Sequence, residues 1–265
     1  LDPVLLQPEQ GLSRAQRRQL YSHPLIATVL LKRHHEYTKE VVRAVEEHHE
    51  CLNGAGYPRN VAGDAISPLG QILGLAEVVA AMFAPDRVAP EMRLSVLLRM
   101  NRHRYDATLV NRVMQLLRPA QDAASAMGLV LDDPIGRLCD IEDAIDHWPS
   151  TLVKTPGLSS ERLYGLTALA TQTEQLQRTL ATVGIAREQL LQIGDGVMDD
   201  TVKVELSLLA LEAAWQLRAM ARQARRRWHA GLDGVYPTEL QVWLDRVDAM
   251  VAEGVIQPAL DDFDV

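Results

Sequence analysis

The chain is predicted to be all-α. Apolar residues recur at helical spacing along most of its length, and no stretch shows the period-two alternation of a strand. Good helix formers such as Leu, Ala, Arg, Glu and Gln dominate, while aromatics make up only 5% of the 265 residues. Capping residues and first-turn prolines fall where helices should begin.

Each element follows from those signals. Ser13 is placed to cap a first helix running through Ser22. Pro24 suits the first turn of a second, which reaches about Arg33. Residues 36–50 read as a third helix, stopped by Asn53-Gly54 and Gly56. Ser67-Pro68 is a cap followed by a first-turn proline and opens a fourth, ending near Phe83. Helices over 91–101 and 106–117 follow. Pro119 marks a change of character. Beyond it come helices over 135–147, 160–183 and 201–229, and a last one opened by Pro237-Thr238 that ends before Gly254. Long helices on short loops predict a bundle. The expected division is a core domain over 1–118 and a second helical domain over 119–265, with a frayed acidic tail at Asp261–Asp264.

Composition narrows the partners. Twenty-seven basic and 35 acidic residues give a net charge of −8. That argues against broad binding to nucleic acid or to an anionic membrane, both of which need a positive face. Cys51 and Cys139 are far apart and form neither a metal motif nor a disulfide framework, which predicts a reducing, cytoplasmic setting. No apolar run approaches the roughly 20 residues of a membrane span, and no signal peptide is recognisable.

One stretch carries chemistry: His48-His49-Glu50-Cys51-Leu52-Asn53-Gly54-Ala55-Gly56-Tyr57-Pro58. It ends a helix on two histidines and runs into a glycine-rich turn. Neighbouring helical residues point about 100° apart, so the two imidazoles are not expected to share one face. A tandem pair suits a site of two ions, about 3.5–4 Å apart, with each histidine taking one.

The pattern His-His-Glu-x-x-Asn-Gly-x-Gly-Tyr-Pro resembles the signature of the HD-GYP domains, in which the sixth position is usually Asp. Its flanks agree in order. Ile66 to Glu77 is similar to the family helix after the signature, and the run from Leu12 to His23-Pro24 to the helix bearing an isolated His-Pro. Asp86-Arg87 matches an Asp-Arg pair, and Tyr105-Asp106 to Leu117 resembles the closing aromatic-Asp helix. The resemblance covers about residues 1–118.

It implies an all-helical core that binds two or three divalent ions, often iron or manganese, and hydrolyses cyclic di-GMP. By motif position it makes His23, His48 and His49 metal ligands, with Glu77 where the family places a ligating Asp. It gives Arg87 a contact with substrate phosphate. It assigns Gly56, Tyr57 and Pro58 to recruiting partner proteins such as diguanylate cyclase domains. Four departures bear on activity. The sequence contains no His-Asp dipeptide, and in the family that dipeptide supplies the bridging carboxylate; its counterpart falls upstream of Leu1. Glu77 is one methylene longer than Asp. Ala80 replaces a second Asp, and Asn53 replaces the signature Asp. Three imidazoles and one carboxylate would still suit a single ion of the zinc type. No residue is assigned a catalytic role.

The expectation is therefore a degenerate HD-GYP-type protein of cyclic di-GMP signalling that binds nucleotide or partner with little or no catalysis. The alternatives are an active metal-dependent phosphodiesterase, and a metal-free helical scaffold that forms a homodimer through its C-terminal helices. Other residues have plainer readings. His34-His35 and His103 are expected on the solvated surface. Arg218, Arg222, Arg225, Arg226 and Arg227 form a solvated helix face paired with acidic neighbours. Trp215 and Trp228 are expected as core or interface anchors, and Asp199-Asp200 as a helix cap.

Overall fold

The computed structural model describes residues 14–85, 87–118, 128–149, 159–185, 189–190, 198–229 and 237–252. Ser13, Asp86, Pro119 and the tail Asp261–Asp264 lie outside the described residues, as do the side chains of Arg226, Arg227 and Trp228. The described residues are helical with turns between. The chain separates into two compact units, one of residues 1–118 with 259–265 and one of 119–258.

The first unit contains α1 (Arg14–Tyr21), α2 (His23–Leu31), α3 (Lys39–Glu47), α4 (Pro68–Met82), α5 (Pro90–Met100) and α6 (Ala107–Leu116). Prolines occupy the first turns of α2, α4 and α5, where a missing N–H costs nothing. Ser67 Oγ accepts from the Gly70 amide at 3.2 Å and caps α4, and Asp106 Oδ1 accepts from the Leu109 amide at 2.9 Å and caps α6. The core is Leu75, Val78 and Met82 of α4 against Leu94, Leu97 and Leu98 of α5 and Val110 of α6. On the other side α3 packs on both α2 and α4.

α3 departs from expectation at both ends. It begins at Lys39, not near Glu36, because Thr38 takes an extended backbone and its Oγ1 accepts from the Val41 amide. It ends at Glu47, not Glu50, with His48 as the residue that closes it. Short helical turns at Gly63–Ala65 and Arg102–Arg104 carry no sequence signal strong enough to announce them.

The second unit contains α7 (Pro134–Asp146), α8 (Ser160–Thr182), α9 (Asp200–His229) and α10 (Thr238–Ala252). α9 packs against α7, α8 and α10, which is a helical bundle. Trp148 meets Trp243 edge to face with centroids 4.8 Å apart, and Trp243 donates its indole N–H to the Ala144 carbonyl at 2.9 Å. Trp215 is buried. Arg225 pairs with Asp248, but Arg222 and Arg225 are half-buried and only Arg218 of the described arginine side chains in this cluster is exposed, so the face is less solvated than expected. Asp199 Oδ1 accepts from the Thr201 amide at 2.7 Å to cap α9.

Two glycines set how closely α4 approaches the end of α3. A Cβ on Gly74 would sit 2.3 Å from the His48 carbonyl oxygen, and one on Gly70 would sit 3.0 Å from the Glu47 Cβ. The backbone oxygen at His48 is not a flexible side-chain end and cannot swing aside. Gly74→Ala is expected to lose about 1–3 kcal/mol by overpacking, read as a lower Tm in thermal melts followed by circular dichroism. An unchanged Tm would mean that α3 and α4 are not in this close register.

Candidate metal centre

His23 stands at the first position of α2, His48 closes α3, His49 follows it, and Glu77 projects from α4. These four residues come together. His23 Nε2 is 3.2 Å from His48 Nε2 and 3.1 Å from His49 Nε2. Glu77 Oε2 is 3.6 Å from the Nε2 atoms of both His48 and His49. One ligand atom from each of the three histidines lies within 4.8 Å of the others.

The two adjacent histidines therefore do not serve separate points, as helical geometry had suggested. His48 closes α3 with a right-handed helical backbone, and the helix does not continue through His49. Their rings lie 4.1 Å apart by centroid and turn toward one place.

Proton positions follow from the partners. His23 Nδ1 lies 2.7 Å from the Leu20 carbonyl, and His48 Nδ1 lies 2.6 Å from the Val45 carbonyl. A carbonyl only accepts, so each Nδ1 carries the hydrogen and each Nε2 presents a lone pair to the centre. Burial lowers the pKa of His23 and of His48, and burial together with the two neighbouring imidazoles pushes His49 down to about 2. The three rings are thus neutral donors. Burial raises the Glu77 carboxyl, with His23 pulling the other way. Its Oε2 is buried with no hydrogen-bond partner.

That arrangement fits a divalent ion. Buried acceptors are ordinarily satisfied, yet here the His23 and His48 lone pairs face each other and Glu77 Oε2 has no hydrogen-bond partner. Around an ion with bonds of about 2.0–2.1 Å, neighbouring donor atoms sit about 3.0–3.4 Å apart, close to the 3.1, 3.2 and 3.6 Å observed. The Nδ1–H bonds to carbonyls are the outer contacts that metal-bound histidines need to hold their tautomer.

A carboxylate scaffold that the motif did not reveal holds the loop in place. Glu47 is buried. Its Oε1 accepts from Arg43 Nε at 2.8 Å and from Arg59 Nη2 at 2.9 Å, and its Oε2 accepts from the Ser67 amide at 2.8 Å. Glu50 accepts from the Arg59 and Val61 amides at 2.7 and 3.0 Å. The Asn53-Gly54 turn forms as expected, with Gly54 at φ 75° and Asn53 Oδ1 accepting from the Ala55 amide at 3.2 Å. The signal for Glu47 was the Arg43/Glu47 pair four residues apart; for Gly70 and Gly74 it was the small-x-x-x-small spacing.

Gly56 and Tyr57 are buried, so they are not a contact surface, while Pro58 is half-buried and follows a cis peptide bond. Gly56 packs on the backbone of residues 49–51, where a Cβ would lie 2.4 Å from the His49 carbonyl oxygen. Arg87 is half-buried in the turn after α4 and is not among the residues that line the cavity behind His48 and His49. The arginine that lines it is Arg104, with Nη2 3.5 Å from Cys51 Sγ. Ala80 is exposed, as are His34 and His35. His103 is half-buried rather than exposed, because the helical turn at 102–104 draws it inward; burial and Arg104 lower its pKa to about 4.

The helical fold and a cluster of three histidines that could hold a metal ion agree with one family comparison. Residues 3–109 match the family model of the HD domain, an all-α domain that typically binds divalent metals in metal-dependent phosphohydrolases. Comparison with curated proteins and with solved structures returned no match. No helix among the described residues is long and apolar enough to cross a membrane.

Glu47 supplies a pH-dependent prediction. Burial alone would raise its carboxyl, but the bonds from Ser67 and Arg43 outweigh it and hold the folded value below the ordinary 4.5. Its contribution to stability is then present above that ordinary value and lost as pH falls through the folded one. Glu47→Gln should cost about 1.5–3 kcal/mol at neutral pH and flatten the loss of stability on acidification. Urea unfolding at a series of pH values checks both, and an acid limb as steep as the parent's would exclude the role.

Proposed function

We propose that the first unit is a degenerate HD-GYP-type domain that binds one divalent ion and acts in cyclic di-GMP signalling. It works by holding the nucleotide or a partner protein, such as a diguanylate cyclase domain, with little or no hydrolysis. The observation that carries this reading is the cluster of His23, His48 and His49, whose ligand atoms lie within 4.8 Å of one another with Glu77 Oε2 3.6 Å from two of them, in a sequence with no His-Asp dipeptide.

A bridging carboxylate is what lets two ions sit side by side in a dinuclear hydrolase, and among the described residues the grouped donors form one histidine cluster. His23, His48, His49 and Glu77 would hold the ion, which supplies a fixed positive charge for a phosphate oxygen. A net negative protein binds a dianionic nucleotide only where such a local charge exists. The Tyr105 and Arg104 side of the neighbouring cavity offers further contact area.

Metal analysis by mass spectrometry, after anaerobic loading with iron, manganese or zinc, should give one equivalent per chain. His49→Ala and Glu77→Ala should each lower it. Chelation should lower Tm, since saturation at about a hundred times Kd stabilises by about 2.7 kcal/mol. Calorimetry with cyclic di-GMP and a pull-down with a diguanylate cyclase domain test the signalling half, and silence in both ends it. Two equivalents of metal with release of pGpG would instead make the chain a phosphodiesterase.

A further inference from the structure

We infer that Tyr57, backed by Tyr21, is a positioning residue that holds the His49 imidazole in the direction its metal requires. This rests on the metal reading of the site given above. The rings of His49 and Tyr57 stack with centroids 4.5 Å apart and planes 23° apart. Tyr57 stacks in turn on Tyr21, at 4.5 Å and 24°. The result is a three-ring column with His49 at the metal end.

The column is anchored at several points. Tyr57 is 7% exposed. Its amide donates to the carbonyl of His49 itself at 3.1 Å, so one residue grips that histidine through backbone and ring together. Gly56 allows the grip, because a Cβ there would lie 2.4 Å from the same carbonyl oxygen. On the other side of Tyr57, the Glu50 carboxylate fixes the loop through the Arg59 and Val61 amides. Asn60 Nδ2 donates to the Gly56 carbonyl and closes the turn.

The same tyrosine also meets a second ligand. Its ring lies edge to face with His23, centroids 6.2 Å apart at 74°. Tyr21 ends α1 and lies two residues before His23 at the start of α2. Both ends of the column are therefore tied to elements that carry ligands. The rings of His23 and His48 are oriented in their own plane by Nδ1–H bonds to Leu20 and Val45. Contact with Tyr57 fixes His49 by its face, which sets the tilt of the Nε2 lone pair. Offset stacking does this because it has a preferred geometry beyond simple burial.

Cobalt(II) titration of the full chain tests the assignment. Cobalt absorbs in the visible, and its band positions report ligand geometry. Tyr57→Leu should weaken cobalt binding about tenfold to a hundredfold, the usual cost of losing an outer contact to a ligand, and should shift the bands. Tyr57→Phe, which keeps the ring, should restore both. Tyr21→Leu should move both in the same direction by less, and it decides the matter if Tyr57→Leu does not fold. A folded Tyr57→Leu protein with parental affinity and spectrum overturns the proposal. If the parent takes up no cobalt, the metal reading fails separately, and the column is then judged in the metal-free protein by NMR. His49 ring protons should be shifted upfield in the parent and released in Tyr57→Leu. Identical shifts in the two proteins overturn the proposal.

Discussion

Three imidazoles and one carboxylate oxygen meet between α2, the end of α3 and α4. The His23 and His48 lone pairs face one another in a part-buried space, which a shared cation relieves, and burial keeps the imidazoles uncharged by driving their pKa values down. Much of the surrounding structure serves that convergence. Gly74 brings α4 against the His48 carbonyl, which delivers Glu77 one turn further along. The early stop of α3 turns His49 back toward His48. Glu47 ties the start of α4 to the signature loop through Ser67 and Arg59, so the two elements that flank the histidines cannot drift apart.

The departures from the HD-GYP pattern divide by what they touch. Asn53 lies outside the donor set; its side chain accepts from the Ala55 amide and builds a turn, work that an Asp or an Asn does equally well. Ala80 lies one turn beyond Glu77 and is exposed, which removes a carboxylate without disturbing the packing. Glu77 keeps a carboxylate, and its longer arm still brings Oε2 to 3.6 Å from two imidazoles. The three histidines and a carboxylate beside them are thus retained.

The helices were legible because their signals are local. Ser67-Pro68, Asp106 and Asp199 cap where they stand in the sequence, and each needs only its next few residues to act. The four donors were legible for a different reason, since a motif preserves spacing even when no physical argument links His23 to Glu77. What stayed hidden was tertiary. The helical period carried α3 through His49, because nothing local shows that Glu47 would be taken up by Arg59 and Ser67. Tyr57 looked like a surface recognition residue until its ring was found between His49 and Tyr21. His103 sat between two arginines and read as solvated, yet the tight turn around it buries the ring in part.

A fourth protein donor changes what an ion does in such a site. Hydrolytic centres keep a coordination position open, whereas structural centres fill all four with side chains. An ion held by His23, His48 and His49, with Glu77 beside them, would be largely enclosed by protein and would offer its charge to a phosphate oxygen. The free energy of binding then goes into holding α2, the end of α3 and α4 together. The signature loop is coupled to that state through Tyr57. Tyr57 stacks on the His49 ring, and Arg59 and Asn60 follow it on the exposed side of the loop. On the reading proposed here, the family's catalytic pocket has become a clamp whose occupancy sets the order of the loop that follows it.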